Sequence, residues 1–410
     1  MIRVTKITFA SLIVIFVGLA ALFANPEKPL GDWPQYRGLN RDGISLETGL
    51  IKSWPATGPK VNWRAPIGEG YSGVAAVGGK LFTMDSRGND EFVVALDAQS
   101  GKELWRYRND ASYDNDQGNG PRSTPIVEGN MVYAVGALGQ LVALSGNDGK
   151  KVWAHNLQSE FGSEIPQWGT STSPIIEKDL LIVDVGGSAG NSIVAFHKKN
   201  GTVQWKVHTD KQGYSAPIAV NVNGTRQILI FTGTALVSVT PQGKLLWKYP
   251  WRTSYDANIA APVFVPPDKV FISTSYDVGA ALLQIKGGGV QEVWKNRVMK
   301  NHFNSSVFYE NHIYGFDDAT LKCIDALTGA EKWKQRGYGK GSLILADGNL
   351  IVLSDSGQLA LVEATPTAYK EVSTFQALKG KCWTMPTLSN GKLYLRNQKE
   401  LVSFDLKASQ

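Results

Sequence analysis

Trp63, Trp105, Trp153, Trp205, Trp247, Trp294 and Trp333 each close a strand-like stretch, and Phe375 extends the series. The successive gaps are 42, 48, 52, 42, 47, 39 and 42 residues. With strand alternation throughout and no sustained helical period, a repeat of this length matches the four strands of a propeller blade. A single blade cannot bury both of its apolar faces. The repeats must therefore stack, and a closed ring of them leaves a mouth on its axis.

The repeats share one grammar: a small polar cluster, a short apolar strand, a Gly- or Asn-containing turn, two further strands, and a fourth that ends in Trp. The first unit runs through Val74-Ala75-Ala76-Val77, Lys80-Leu81-Phe82-Thr83-Met84, Phe92 to Asp97, and Leu104-Trp105. Alternation and turn residues fall where pairing and tight reversals need them. The last repeat, near 386–406, holds only three strands. Its missing fourth has a donor at the other end of the chain, Lys60-Val61-Asn62-Trp63-Arg64-Ala65. The expectation is an all-β, eight-bladed propeller of four-stranded blades, closed by an N-terminal strand that completes the last blade and removes two open sheet edges. The expected organisation is an export segment over 1–24, an ordered extension over 25–58 rich in Trp, Tyr, Gly and Pro, and the propeller over 59–407.

The 410 residues are 43% hydrophobic and 19% charged, an ordinary globular balance. The net charge of +6 is spread along the chain rather than gathered in a block, so nucleic acid is not an expected partner. Cys323 and Cys382 lie on different repeats and form no CxxC, CxxCH or vicinal pair, so no zinc, redox or haem motif is present and no metal site is expected. They read as two buried thiols. Arg3 and Lys6 precede an apolar run from Ile7 to Ala24 that ends in Ala21-Leu22-Phe23-Ala24, the pattern of a secretory signal. The protein is expected to be exported, periplasmic or extracellular, touching a membrane only if this segment is retained. No Cys stands directly after the run, so a lipoprotein anchor is not expected.

The stretches Ala95-Leu96-Asp97-Ala98-Gln99-Ser100-Gly101-Lys102-Glu103-Leu104-Trp105 and Cys323-Ile324-Asp325-Ala326-Leu327-Thr328-Gly329-Ala330-Glu331-Lys332-Trp333 resemble the A-x-D-x-x-T-G-x-x-x-W repeat of the pyrroloquinoline-quinone-like propellers. That family includes quinoprotein alcohol dehydrogenases and the outer-membrane assembly factor BamB. The motif has a structural purpose. Asp and Thr/Ser bond turn backbone, Gly permits a positive φ, and Trp wedges against the neighbouring blade. Trp63, Trp105, Trp153, Trp205, Trp247, Trp294 and Trp333 are therefore read as structural. The dehydrogenase resemblance implies a quinone (PQQ) in the mouth with a calcium ion held by Glu, Asn and Asp, and an Asp base. The chain lacks the adjacent cysteines that commonly cap such a quinone. The BamB resemblance implies a periplasmic scaffold.

One polar cluster precedes the innermost strand of every blade, so all eight should surround the mouth on one face, held by rigid strands. Their small hydroxyl residues suit crowded strand starts. The larger ones differ from blade to blade and are the candidate ligand-binding residues: Tyr71, Arg122, Trp168, Tyr214, Asn258, His302, Lys340, Lys381 and Trp383. Arg122, Lys300, Lys340, Lys379 and Lys381 would make the mouth electropositive. No HExxH, GxSxG, P-loop or Rossmann pattern occurs, and no catalytic residue is assigned. Asp114, Asp116 and Asp256 lie on loops that could overhang the mouth. The expected function is a non-catalytic binding or scaffold protein of the cell envelope, without a cofactor, engaging an envelope protein or an anionic or sugar-like ligand. The alternative is a quinone-dependent dehydrogenase of alcohols or polyols, with PQQ and calcium.

Overall fold

A computed structural model describes residues 31–408. The apolar run Ile7–Ala24, read as the export segment, lies outside the described residues. Eight sheets of four blade strands make up the fold, all antiparallel meanders. Blades 1 to 7 span 75–111, 126–156, 175–207, 218–250, 263–296, 307–335 and 342–376. Blade 8 is built from Thr387–Ser389, Lys392–Arg396 and Glu400–Asp405, with Val61–Pro66 as its outermost strand. The chain is thus an all-β eight-bladed propeller, and the N-terminal strand closes it: Trp63 pairs with Ser403 and Ala65 with Leu401.

The ring is sealed by an apolar layer at every blade interface. Residues of blades 1 and 2 share one cluster, 2 and 3 another, and so on round to 6 and 7. One larger cluster joins blades 7, 8 and 1. Between them these layers bury both faces of each sheet, which is why no blade is stable alone.

The repeat tryptophans lock neighbours together. The indole N–H of Trp63 donates to Ala98 O of blade 1 at 3.1 Å, and those of Trp105, Trp153, Trp205, Trp294 and Trp333 donate to turn carbonyls of the following blade. The motif glycine lies flat under that ring: Gly101 has φ 71°, and a Cβ there would run into Trp63. Trp247 departs from the pattern because the outer hairpin of blade 5 is the two-residue turn Gly287-Gly288, which offers no motif carbonyl. Its indole turns to Gln227 Oε1 in its own blade, at 2.9 Å.

Every outermost strand carries a β-bulge at the residue before the Trp position. The bulge breaks the regular edge that another strand would pair with. It also corrects one expectation. In blade 7 the register places Ser373, not Phe375, at the Trp position. Trp54 of the N-terminal extension comes in beside it, its backbone N–H bonding Ser373 Oγ at 3.0 Å and its ring meeting Phe375 edge-on at 6.1 Å.

The extension crosses the axis. Trp33 exchanges backbone hydrogen bonds with Ala76 of blade 1, Pro34 O accepts from Val127 N of blade 2, and Ile44–Ser45 pairs in parallel with Leu345-Ala346 of blade 7. Arg41 donates to Ser173 O and Pro174 O at the start of blade 3, at 2.9 and 2.7 Å, while Arg37 donates to Ser306 O before blade 6, at 2.5 Å. Both arginines are buried and bonded to carbonyls rather than to an acid, and burial pushes the Arg41 guanidinium down to about 9. The result is a plug tied to blades 1, 2, 3, 6 and 7.

Candidate functional site

Above the plug lies a cavity of about 360 Å³, at the small end of the ~300–1,000 Å³ typical of ligand pockets. Every blade's leading loop reaches it: Tyr71, Arg122, Trp168, Tyr214, Ile259, His302, Lys340 and Trp383 line it, in blade order. Tyr36 of the plug also lines it, and its hydroxyl lies 3.4 Å from Ser305 Oγ. The mouth is therefore a blind cup rather than a through-channel.

Its wall is a belt of rings. Tyr71 stacks on Trp383 at 5.4 Å, and Trp383 meets Phe303 at 4.7 Å. Phe303 meets His302 at 5.3 Å and His302 meets Tyr276 at 5.5 Å. Tyr276 lies parallel to Trp168 at 6.4 Å, and Trp168 meets Tyr214 at 5.6 Å. Arg122 closes the belt: its Nε donates to Trp168 O at 2.8 Å while the guanidinium lies over Tyr71 at 5.7 Å and Tyr113 at 4.6 Å. Tyr276 holds φ 57°, a conformation that bulky residues adopt only when surrounding structure imposes it.

The polar groups are less available than their residue types suggest. Arg122 also donates to Gly118 O at 2.6 Å and to Gly120 O, so its guanidinium braces loops and has no free fork for an anion. Asn258 does not reach the cavity. It is fully buried, and its amide donates to Thr232 O, Gly233 O and Trp251 O. Lys381 sits on the rim outside the lining, 4.2 Å from the Trp383 ring centroid and 2.9 Å from Gln117 O. Lys300 pairs with Asp318 at 3.0 Å. Lys379 does not line the cavity either, so the expected electropositive mouth reduces to Lys340, whose ammonium has no acceptor among the described residues. Burial and Lys340 push His302 down to about 4, so its imidazole is neutral at neutral pH. Asp256 pairs with Lys211 at 2.7 Å, and neither it nor Asp114 or Asp116 lines the cavity.

The family model described as "Outer membrane protein assembly factor BamB" matches residues 48–187 and 93–335, most of the chain. The protein belongs to this BamB family. Among curated relatives, BamB of Burkholderia pseudomallei is 25% identical over 51% of this chain and 51% of its own length. BamB of Marinobacter adhaerens is 24% identical over 36% of this chain and 33% of its own. The chain spans a quarter to a half of the length of the curated relatives it matches. Among solved structures, BamB from Moraxella catarrhalis superposes with TM-score 0.63 at 16% identity, covering 86% of this chain and 98% of that one. A quinohemoprotein alcohol dehydrogenase from Pseudomonas putida HK5 gives 0.61 at 11%, covering 93% and 81%. At such identities the likeness is one of fold alone.

The dehydrogenase neighbour makes the quinone and calcium worth testing against the lining of this BamB-family mouth. Calcium takes oxygen ligands, usually carboxylates among them, and no Asp or Glu lines the cavity. Nor does any cluster of three or more potential metal-binding side chains occur among the described residues. The residues present do not fit the calcium–quinone pair, and no carboxylate stands where a base would be needed.

Sequence reasoning overlooked Tyr36, Tyr276 and Phe303 as lining residues. Phe303 lay within a recognised cluster. Tyr276 sits in a turn between the second and third strands of blade 5, on the same face as the clusters, and Tyr36 comes from the extension.

Behind the belt, Glu91 is fully buried and accepts hydrogen bonds from Ala137 N at 3.0 Å and Asn109 Nδ2 at 3.1 Å. Ala137 O in turn takes Thr170 N, next to the loop carrying Trp168. Burial pushes the Glu91 carboxyl up to about 7. The folded state therefore keeps this proton to higher pH than the unfolded chain. Stability should fall as pH rises from about 4.5 to about 7 and then level off, by about 3 kcal/mol from this group. Urea unfolding at several pH values should show a shallower fall for Glu91→Gln. Identical slopes for the two proteins would remove Glu91 as the cause.

Proposed function

We propose that the protein is an exported, non-catalytic binding or scaffold protein of the cell envelope, and that its mouth is where a partner or ligand is held. The observation that carries this reading is the lining itself: a closed floor, aromatic walls and no carboxylate. Such a cup gains affinity by burying flat apolar surface, and no carboxylate base lines it. The naming of the curated relatives as outer membrane protein assembly factors supports an envelope role. Export rests on Arg3, Lys6 and the apolar run to Ala24. The division into an export segment over 1–24, an extension over 25–58 and a propeller over 59–407 belongs to the same proposal.

Affinity capture from an envelope extract tests it. Trp383 packs on Tyr71 and Phe303 at the rim rather than between blades. Trp383→Ala should keep the circular dichroism spectrum and lose captured envelope proteins about tenfold or more, the usual cost of truncating an aromatic anchor. Equal capture by both proteins would place binding elsewhere, and recovery of the native protein in the cytoplasm would end the envelope assignment.

A further inference from the structure

Resting on the mouth reading, we infer that the cup takes a flat aromatic group bearing a single carboxylate, with the ring inside the aromatic belt and the carboxylate at Lys340. Three independent observations lead there.

The floor comes first. Arg37 and Arg41 tie the plug to blades 6 and 3, and Tyr36 caps the axis beneath the cavity. Nothing can thread through, so a ligand enters as a small molecule or a terminal group. The volume of about 360 Å³ holds one compact group of that kind.

Second is the balance of hydrogen-bonding groups. A sugar asks for many paired donors and acceptors, yet several hydroxyls of this lining are already engaged. Tyr214 Oη takes Trp168 N, Ser173 Oγ takes Thr124 N, and Thr124 Oγ1 takes Gly73 N. What remains free includes three strong donors. The indole N–H groups of Trp168 and Trp383, unlike those of the repeat tryptophans, have no acceptor among the described residues, and neither does Lys340 Nζ. A lining with these free donors and no carboxylate favours an acceptor-bearing, negatively charged ligand.

Third is the count of charges. Arg122 and Lys381 are bonded to carbonyls and Lys300 to Asp318. His302 is neutral at neutral pH. No carboxylate pairs with the Lys340 ammonium among the described residues: Asp355 accepts Lys340's own backbone N–H at 3.0 Å, and Asp318 takes Lys300 and Ser275. Among the lining residues one ammonium remains, that of Lys340, near enough to His302 to disfavour its protonation, so the ligand carries one charge rather than several.

Calorimetric titration of the full chain with 2-naphthoate, the neutral 2-naphthamide and maltose tests the inference. In low salt, naphthoate should bind at least tenfold more tightly than naphthamide, and maltose should not bind measurably. In Lys340→Met, with an unchanged melting curve as control, the two naphthalene affinities should come within twofold, whereas Trp383→Ala should weaken both. Equal affinities in the unaltered protein, a naphthoate preference that survives Lys340→Met, tighter binding of maltose, or no naphthoate binding would each overturn it. The two readings fail separately. Should naphthoate not bind while Trp383→Ala still abolishes envelope capture, the ligand class is wrong and the mouth remains the binding site. Should Trp383→Ala change neither, the mouth reading falls too.

Discussion

Deleting residues 59–66 should abolish cooperative folding. The segment supplies the outermost strand of blade 8, and its Trp63 reaches across to blade 1 through Ala98 O and the face of Gly101. Without it the blade keeps three strands, and the largest apolar layer, shared by blades 7, 8 and 1, loses part of its cover. The loss falls at the one seam where the ring has no covalent continuity. It should exceed the ~5–15 kcal/mol by which domains are usually stable. Thermal melting followed by far-ultraviolet circular dichroism should show no sharp transition for the deletion. The milder Trp63→Ala should still melt sharply, with about 3 kcal/mol less stability in urea. A deletion protein melting within a few degrees of the intact one would refute closure by this strand.

Replacing Arg396 by Met should destabilise the protein by about 3 kcal/mol or more, because several buried oxygens lose their donor at once and each one left unsatisfied costs ~1–3 kcal/mol. Arg396 lies on blade 8 with only 1% of its surface exposed. It donates to Met84 O at 2.8 Å, Thr83 Oγ1 at 3.0 Å and Ser72 O at 3.3 Å, and to Gly68 O and Gly70 O at 3.0 and 3.3 Å. Burial pushes the guanidinium down to about 10, still charged at neutral pH. Methionine fills the space but leaves those oxygens without a donor. The change Arg396→Lys should cost less than Arg396→Met yet still destabilise, because an ammonium has three donors where the guanidinium has five. Unfolding in urea reads the effect, and a loss below about 1 kcal/mol for Arg396→Met would show that the oxygens find other partners. The same bolt holds Gly70, next to Tyr71, so the variant should also weaken whatever the mouth binds.

The sequence announces what is local and repeated. Asp97 accepts the backbone N–H and hydroxyl of Ser100 at 2.7 and 2.6 Å, and Asp325 those of Thr328 at 2.9 Å each, so the motif turns follow from their residues. The Trp period gives the blade count for the same reason. Phe375 misleads because spacing alone cannot place a bulge, and the bulge puts Ser373 opposite Leu361. Asn258 misleads differently. Its position in the leading loop is right, but the direction of a side chain depends on what the next loop offers, and here that is three carbonyls. Arg122 does reach the mouth, yet its charge is turned inward by Gly118 and Gly120, which no local pattern reports. The extension is legible as ordered from its Trp and Tyr content. Its passage across the axis depends on contacts with blades 3 and 6, far along the chain.

The seam at blade 8 also sets a timetable. Val61, among the first of the described residues to be synthesised, pairs with Phe404, among the last. Blades 1 to 7 can form in order as they appear, but the circle stays ajar until the C-terminal hairpin has been made and released. During that interval the inward flank of blade 1 and the bare rim of the final hairpin have no mates. So long-range a pairing is slow to find, and the nascent chain must be shielded from neighbouring copies until its two ends meet.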